Sequence, residues 1–413
     1  MKWFYRKGKI NIFAIFFLFS TGCEKQTFKW NEQDDHRWTY LQVKKGISRL
    51  NLIKSDKTGI KFKNQISDDL IASNRALLSG SGVALGDIDG DGLTDIYFCK
   101  TDGSNTLYRN RGGWKFDDIT EESGVSCANQ FSTGAVFADI DGDKDLDLLV
   151  TALGGPNALF YNDGKGHFEE AGKEAGFYGQ TGATSLAIAD IDQDGDLDIY
   201  RTNYKTVMAK DIYTPLERSF HQIVVEKAGS HRIREKFIEH YKVEIRGKQV
   251  LCLEMAEEDE ILINNGKGVF KRESITDGRF IFNSSHTDVK DWGLMARFQD
   301  IDLDGDPDLY VCNDFESPDR FYINDGTGIF KVVSPLTIRS SSNSSMAIDF
   351  SDLERDGDLD FYIADMLSVR HDRRKTQMGT MIPTPLSIGT IDNRPQYMRN
   401  TLFLNRGDQT YAE

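Results

Sequence analysis

A nine-residue acidic pattern recurs five times in this chain, always in the same register. The copies are Asp87-Ile-Asp-Gly-Asp-Gly-Leu-Thr-Asp95, Asp139-Ile-Asp-Gly-Asp-Lys-Asp-Leu-Asp147, Asp190-Ile-Asp-Gln-Asp-Gly-Asp-Leu-Asp198, Asp300-Ile-Asp-Leu-Asp-Gly-Asp-Pro-Asp308 and Asp352-Leu-Glu-Arg-Asp-Gly-Asp-Leu-Asp360. Positions 1, 3, 5 and 9 are carboxylates in every copy: Asp87, Asp89, Asp91 and Asp95; Asp139, Asp141, Asp143 and Asp147; Asp190, Asp192, Asp194 and Asp198; Asp300, Asp302, Asp304 and Asp308; Asp352, Glu354, Asp356 and Asp360. Two carboxylates about 5 Å apart repel by roughly 3 kcal/mol at an effective dielectric of about 20. A loop that gathers four of them needs a hard, oxygen-seeking cation. Calcium accepts six to eight oxygens in a flexible shell and suits such a loop better than magnesium does. The pattern therefore predicts four or five Ca2+ ions.

A single acidic turn would mean little, because Asp and Gly are ordinary turn residues. Five turns in one register, with Gly92, Gly195, Gly305 and Gly357 all at position 6, argue for ligand loops that must turn sharply where φ is positive. Lys144 stands at position 6 of the second copy, and Glu354, a longer arm that can reach through water, at position 3 of the fifth. Position 7 varies (Leu93, Asp145, Asp196, Asp306, Asp358), which assigns its backbone carbonyl rather than its side chain to the ion. The EF-hand is excluded: its loop needs a bidentate Glu at position 12 and a following helix. Here position 12 is Phe98, Val150, Arg201, Val311 or Ile363, inside runs such as Asp95-Ile-Tyr-Phe98 that read as strands. Each loop thus joins two strands.

The repeat is longer than the loop. Its first Asp stands at 87, 139, 190, 300 and 352, a spacing of 52, 51, 110 and 52 residues. A second signature follows each loop: Leu107-Tyr-Arg-Asn110, Leu159-Phe-Tyr-Asn162, Ile261-Leu-Ile-Asn264, Phe321-Tyr-Ile-Asn324 and Leu402-Phe-Leu-Asn405. Gly-rich turns such as Asn162-Asp-Gly-Lys-Gly-His-Phe168 come next and lead into a fourth short strand. Four antiparallel strands per unit, with a period near 50, predict an all-β chain of β-propeller blades starting near 80, 132, 183, 293 and 345. The irregular spacings are insertions. One covers about 203–258, where 211–225 and 231–241 carry helical spacing and predict a small helical element, either a lid or docking element or an excursion packed on the blade. The other covers about 365–399, contains Pro383, Pro385 and Pro395, and reads as a surface loop.

The N-terminus carries Lys2, Arg6, Lys7 and Lys9, then a short apolar run from Ile10 to Phe19, then Ser20-Thr-Gly-Cys23. The apolar run is too short to span a bilayer comfortably, so residues 1–23 predict an export signal of the bacterial lipoprotein type. Cys23 is the expected lipidation site, although Ser20 stands where Leu is usual. Residues 24–45 form a polar tether, and 46–413 the propeller. The expected location is the bacterial cell envelope, lipid-anchored at the outer membrane or in the periplasm, with secretion as the alternative. The sequence ends partway through a unit, which predicts the N-terminal part of a longer polypeptide; alternatively residues 45–85 add strands that close a small ring.

The formal charge is −15, and −19 once Lys2, Arg6, Lys7 and Lys9 are removed with the leader. Such a surface excludes nucleic acid as a partner. Membrane contact is expected through the N-terminal lipid only. Cys99 and Cys312 occupy equivalent strand positions, while Cys127 and Cys252 do not; disulfides and buried free thiols both fit an exported chain.

The loops with their flanking strands resemble the FG-GAP or VCBS repeats of integrin-α-type propellers. Gly82-Val-Ala-Leu-Gly-Asp-Ile-Asp-Gly-Asp-Gly92, Phe116-Asp-Asp-Ile-Thr120 with Ser123-Gly124, Asn313-Asp-Phe315, and Asp365-Met-Leu367 with Arg373-Arg-Lys375 bring the chain closer to bacterial proteins related to cartilage acidic protein. Those proteins usually end in an ASPIC/UnbV domain, which has no counterpart in this sequence. The resemblance covers about 75–413 and implies calcium binding and extracellular interaction, with no known reaction.

Three functions follow as expectations. The first is a calcium-rigidified interaction module for an extracellular protein or glycan. The second is a scaffold presenting a downstream domain. The third is a propeller enzyme acting on extracellular polysaccharide, and against it stands the lack of a recognisable triad, metal motif or nucleophile elbow among the seven histidines and their neighbours. His286 with Asp288 and Asp291, and His371 with the basic run to Lys375, are more simply solvated loops.

Overall fold

The computed structural model describes residues 51–227, 229–246, 248–282, 289–314, 317–334, 336–368, 370, 372–373 and 395–413, together with two short strands near the N-terminus. Cys23 and the leader, His286, His371 and most of the 365–399 insertion lie outside the described residues. The chain divides into two compact units. The first holds residues 1–52 and Asp352–Gly357; in it Asn31–Glu32 pairs antiparallel with Arg37–Trp38. The second holds Ile53–Ser351 and Asp358–Glu413 and contains the blades.

Each blade is an antiparallel sheet of four strands in chain order. The first comprises Val83–Gly86, Asp95–Phe98, Thr106–Asn110 and Phe116–Asp118. The second comprises Ser132–Ala138, Asp147–Ala152, Ala158–Asn162 and Phe168–Glu170. The third is Ala183–Ala189, Asp198–Asn203, Glu260–Asn264 and Phe270–Ser274. The fourth is Gly293–Gln299, Asp308–Asn313, Arg320–Asn324 and Phe330–Val332, to which Phe280–Ile281 adds a fifth, parallel strand. The fifth is Ser345–Ser351, Asp360–Asp365, Thr401–Asn405 and Tyr411–Ala412. Among residues 51–82 there is no strand; short helices at Ser55–Thr58 and Asp68–Ser73 stand there instead, so this stretch adds nothing to a sheet.

Successive blades pack face to face, and the core lies between them. Ala84, Tyr97 and Leu107 of the first meet Leu148, Val150 and Phe160 of the second. Leu149 and Leu159 meet Ile199 and Leu262. Tyr200 and Ile261 meet Leu309, Val311 and Tyr322. Tyr310 and Phe321 meet Phe361, Ile363 and Phe403. The second strands of blades two to four are buried along both faces, which explains why the apolar runs Leu148–Val150, Ile199–Tyr200 and Leu309–Val311 do not alternate with polar residues. Each fully buried Leu, Ile or Phe contributes roughly 1.5–3 kcal/mol relative to exposure.

First strands of neighbouring blades approach closely, and glycine allows it. A Cβ on Gly134 would lie 2.8 Å from the Thr184 carbonyl oxygen and 2.9 Å from Thr151 Oγ1. Threonines then bridge the blades: Thr133 Oγ1 donates to the Ala183 carbonyl at 2.6 Å, and Thr184 Oγ1 to the Gly293 carbonyl at 2.9 Å.

The insertion between Asn203 and Glu260 departs from the helical reading. Only two single turns are helical, Ala209–Ile212 and Phe220–Ile223. The rest is two hairpins, Val224–Lys227 with Ser230–Ile233 and Tyr241–Arg246 with Gln249–Glu254. The 231–241 stretch, read as helical, is a strand followed by a 3-10 turn at Glu235–Phe237. Its Ile233, Phe237 and Tyr241 do share one small core, with Ala209, Ile223 and Val224. A spacing of four placed them on one side, but a strand, a tight turn and a second strand achieve the same convergence.

Candidate metal centre

All five acidic loops adopt one backbone conformation. Positions 4 and 6 both lie in the left-handed region: Gly90 and Gly92, Gly142 and Lys144, Gln193 and Gly195, Leu303 and Gly305, Arg355 and Gly357. The sequence pointed to position 6 alone. Lys144, Gln193, Leu303 and Arg355 pay a steric cost of order 1–2 kcal/mol there that glycine would avoid. Hydrogen bonds within the loop offset it. The position-6 N–H donates to the position-1 carboxylate in every copy: Gly92 to Asp87 at 2.8 Å, Lys144 to Asp139 at 3.1 Å, Gly195 to Asp190 at 3.1 Å, Gly305 to Asp300 at 3.2 Å and Gly357 to Asp352 at 3.2 Å. Lys144 therefore leaves the second loop's form intact.

Position 9 is the pivot between loop and sheet. Asp95, Asp147, Asp198, Asp308 and Asp360 each begin a second strand, and each is buried. One carboxylate oxygen accepts the N–H of the signature Asn on the third strand: Asn110, Asn162, Asn264, Asn324 and Asn405, at 2.7–3.0 Å. The other accepts the N–H of loop position 2 in three copies, from Ile88, Ile140 and Ile301. Burial pushes Asp147, Asp198 and Asp308 up to about 7, and raises Asp95.

In four copies three carboxylates gather, with one oxygen from each within 4.8 Å of the others: Asp87, Asp89 and Asp95; Asp139, Asp141 and Asp147; Asp190, Asp192 and Asp194; Asp300, Asp302 and Asp304. Ligands on opposite sides of a calcium ion stand about 4.6–5.2 Å apart, so this spacing fits one shared ion. The structure does not gather Asp91, Asp143, Asp198 or Asp308 into these triads, and Asp352, Glu354 and Asp356 of the fifth copy form none among the described residues. Burial and then the neighbouring carboxylate raise Asp192 and Asp302 from the ordinary carboxylate value. Asp190 Oδ1, Asp192 Oδ1 and Asp300 Oδ1 are buried with no hydrogen-bond partner. Buried, unpartnered, mutually repelling oxygens are the donor set a hard cation satisfies. In the first loop the Arg109 guanidinium pairs with Asp89 and supplies part of that charge itself.

Two roles escaped the sequence reading. Position 7 of loops two to four turns its carboxylate toward the turn between strands three and four. A Cβ on Gly164, Gly266 or Gly326 would come within 2.5 Å of Asp145, Asp196 or Asp306. The signature Asn also staples blades together: besides its own blade, its Nδ2 donates to a position-2 carbonyl of the preceding blade, Asn162 to Ile88, Asn264 to Ile140 and Asn324 to Ile191, each at 2.8 Å. The recurrence of Asn at that position was the signal. Cys99, Cys127, Cys252 and Cys312 are all free thiols.

In three stretches of these blades and their loops, residues 87–150, 139–200 and 300–363, the chain matches the FG-GAP-like repeat. The chain is similar to cartilage acidic protein 1 of Xenopus tropicalis, 29% identical over 162 residues, covering 37% of this chain and 24% of that protein. The human protein of the same name is 27% identical over 153 residues, covering 36% and 23%. The match thus spans about a quarter of those relatives' length. Among solved structures, an Agrocybe aegerita lectin described for recognition of non-reducing terminal N-acetylglucosamine covers 80% of this chain and 78% of its own at 14% identity, with a TM-score of 0.33. The V. cholerae biofilm matrix protein Bap1 covers 69% and 34% at 12% identity, also at 0.33.

Proposed function

We propose that this chain is a calcium-binding β-propeller interaction module, exported to the bacterial envelope and held there through Cys23, that contacts an extracellular protein or glycan. The observation that carries the reading is the repeated carboxylate triad with buried, unpartnered oxygens at Asp190, Asp192 and Asp300. Calcium at these loops does structural work: it binds the folded loop and stabilises by linkage. Asp87, Asp139, Asp190 and Asp300 close the turn, their neighbours at position 3 complete the shell, and position 9 ties that shell to the third strand. The FG-GAP-like repeats support an interaction role over a catalytic one.

The test is binding of the exported chain to immobilised envelope and matrix glycans and proteins, with calcium and with chelator. The reading expects a calcium-dependent partner that Asp300→Ala/Asp302→Ala weakens. A partner bound equally in chelator would refute the coupling of calcium to recognition. Cys23→Ser moves the protein from the membrane to the soluble fraction if the lipid anchor is real; retention at the membrane contradicts it.

A further inference from the structure

At the loop end, three of the junctions between successive blades are sealed in one way. Counting from the signature Asn, the turn into strand four has glycine at its fifth position: Gly166, Gly268 and Gly328. A side chain of the preceding blade, or of the connection that follows it, donates to that glycine's carbonyl. Ser123 Oγ donates to Gly166 at 2.7 Å, Tyr161 Oη to Gly268 at 3.1 Å and Arg279 Nη1 to Gly328 at 2.9 Å. The approach leaves no room for a side chain, since a Cβ on Gly268 would lie 2.7 Å from Tyr161 Oη.

The junction of blades four and five lacks this seal. Gln409 takes the glycine's place, at φ +65°, and nothing donates to its carbonyl among the described residues. The staple is missing too. Asn405 Nδ2 donates to the Leu359 carbonyl and to Tyr411 Oη, at 3.4 Å each, and not to Ile301 of the preceding blade. A cavity of about 570 Å³ opens there instead. It is formed in advance, which removes much of the ordering cost of binding.

The sister junctions show what this space holds. Tyr161 stands just before the signature Asn of blade two and packs among Ile140, Leu159, Ala171 and Phe270. The corresponding residues of the open junction, Ile301, Phe321, Val333 and Tyr411, all line the cavity, and Ile323 stands where Tyr161 does. Ile323 offers neither ring nor hydroxyl, so the place of a phenol is left empty. At the junction of blades three and four the donor is a guanidinium, and Glu273 pairs with it at 3.1 Å. Glu273 lies three residues after Phe270, which pairs with the signature Asn264; the same place in blade four, three residues after Phe330, is the buried Val333. The wall that would balance a guanidinium is therefore aliphatic. The cavity's carboxylates have other work: Asp302 belongs to the triad of loop four, Asp325 accepts the N–H and hydroxyl of Thr327, and Asp358 turns toward Gly407. An apolar body with one neutral donor suits these walls, and a phenol is such a group.

We propose that the cavity between blades four and five is a binding site for a phenol ring, supplied as a tyrosine side chain by the extracellular protein partner. The ring lies against Phe321, Ile323 and Tyr411. Its hydroxyl donates to the Gln409 carbonyl, as Tyr161 donates to Gly268 two junctions earlier. The volume admits the ring with its adjoining backbone. The assignment rests on the reading of the chain as an interaction module, and it narrows the partner to a protein.

The experiment is calorimetry on the full calcium-loaded chain with three probes: N-acetyltyrosinamide, N-acetylphenylalaninamide and N-acetylargininamide. The tyrosine probe should bind about five- to tenfold more tightly than the phenylalanine probe, the factor that one hydrogen bond supplies, and the arginine probe should give no heat. Free probes report on the cavity whether or not an envelope partner is ever captured, so a failure here is distinct from a failure of the interaction reading. Ile323→Tyr fills the space from within, as Tyr161 does. It should raise the melting temperature by about 1–2 °C and weaken the tyrosine probe about tenfold or more. Equal binding of the tyrosine and phenylalanine probes, tighter binding of the arginine probe, no heat from the tyrosine probe at millimolar concentration, or an Ile323→Tyr chain that melts lower or binds like the parent overturns the proposal.

Discussion

Replacing Asn264 by alanine probes the joint between blades two and three. The side chain is 5% exposed. Its Nδ2 donates to the Ile140 carbonyl of the preceding blade at 2.8 Å and to Leu197 at 3.2 Å, and its Oδ1 accepts the Asn265 N–H at 2.8 Å. Alanine deletes these three bonds but keeps the backbone bond to Asp198. A net hydrogen bond contributes about 1 kcal/mol, and a buried carbonyl deprived of its donor adds to the loss. The expected cost is about 2–4 kcal/mol. Asn110 of the first blade supplies the control. Its side chain bonds Thr94 and Gly112 at 2.9 Å each, within its own blade and nearer solvent. Asn110→Ala should cost about 1 kcal/mol or less. Urea unfolding of the calcium-loaded chain, read by fluorescence and circular dichroism, measures both. If Asn264→Ala costs no more than Asn110→Ala, the inter-blade bond contributes nothing and the staple is refuted.

Calcium-free protein should lose stability as pH rises from about 4 to about 7. Burial pushes Asp147, Asp198 and Asp308 up to about 7 in the folded chain, against about 3.9 for a free Asp, so in that window the folded state holds more protons than the unfolded one. Melting in chelator at pH 5.5 and 7.5 checks the sign, and saturating calcium should reverse it, because the ion competes with those protons. Arg109→Gln should tighten one calcium site about two- to fivefold by removing the guanidinium from Asp89, the range expected of a partly exposed ion pair; unchanged affinity at every site counts against the pairing. Asp319 is buried, accepts from Tyr310, Ser345 and Asn313, and is pushed up to about 7 by burial. Asn105 fills the corresponding place in blade one and donates to Tyr97. Asp319→Asn should therefore stabilise by about 1 kcal/mol at pH 8 and by little at pH 5; destabilisation at both pH values refutes this.

The strand–loop–strand unit was legible because its signals are local. Carboxylates at fixed offsets, Gly at position 6 and a β-type run after position 9 each act within about a dozen residues. What the sequence hid depends on partners far along the chain. Asn264 to Ile140 is a contact across 124 residues, and nothing in Leu-Ile-Asn distinguishes a cap from a staple. Position 4 was missed because Gln193, Leu303 and Arg355 are not residues that advertise positive φ. The insertion was misread because apolar spacing of four is shared by a helix and by a strand–turn–strand path around one core, and Ile233, Phe237 and Tyr241 took the second. Asp259 and Asp319 look like any loop Asp in the sequence; only packing makes them buried carboxyls.

The most direct test of calcium as the structural cofactor is a calorimetric titration of residues 40–413, paired with thermal unfolding in calcium and in chelator. Four or five bound ions, with melting that drops sharply in chelator, is the predicted result. Absence of calcium heat, with identical melting in both buffers, would contradict the account and leave the five loops as acidic turns alone.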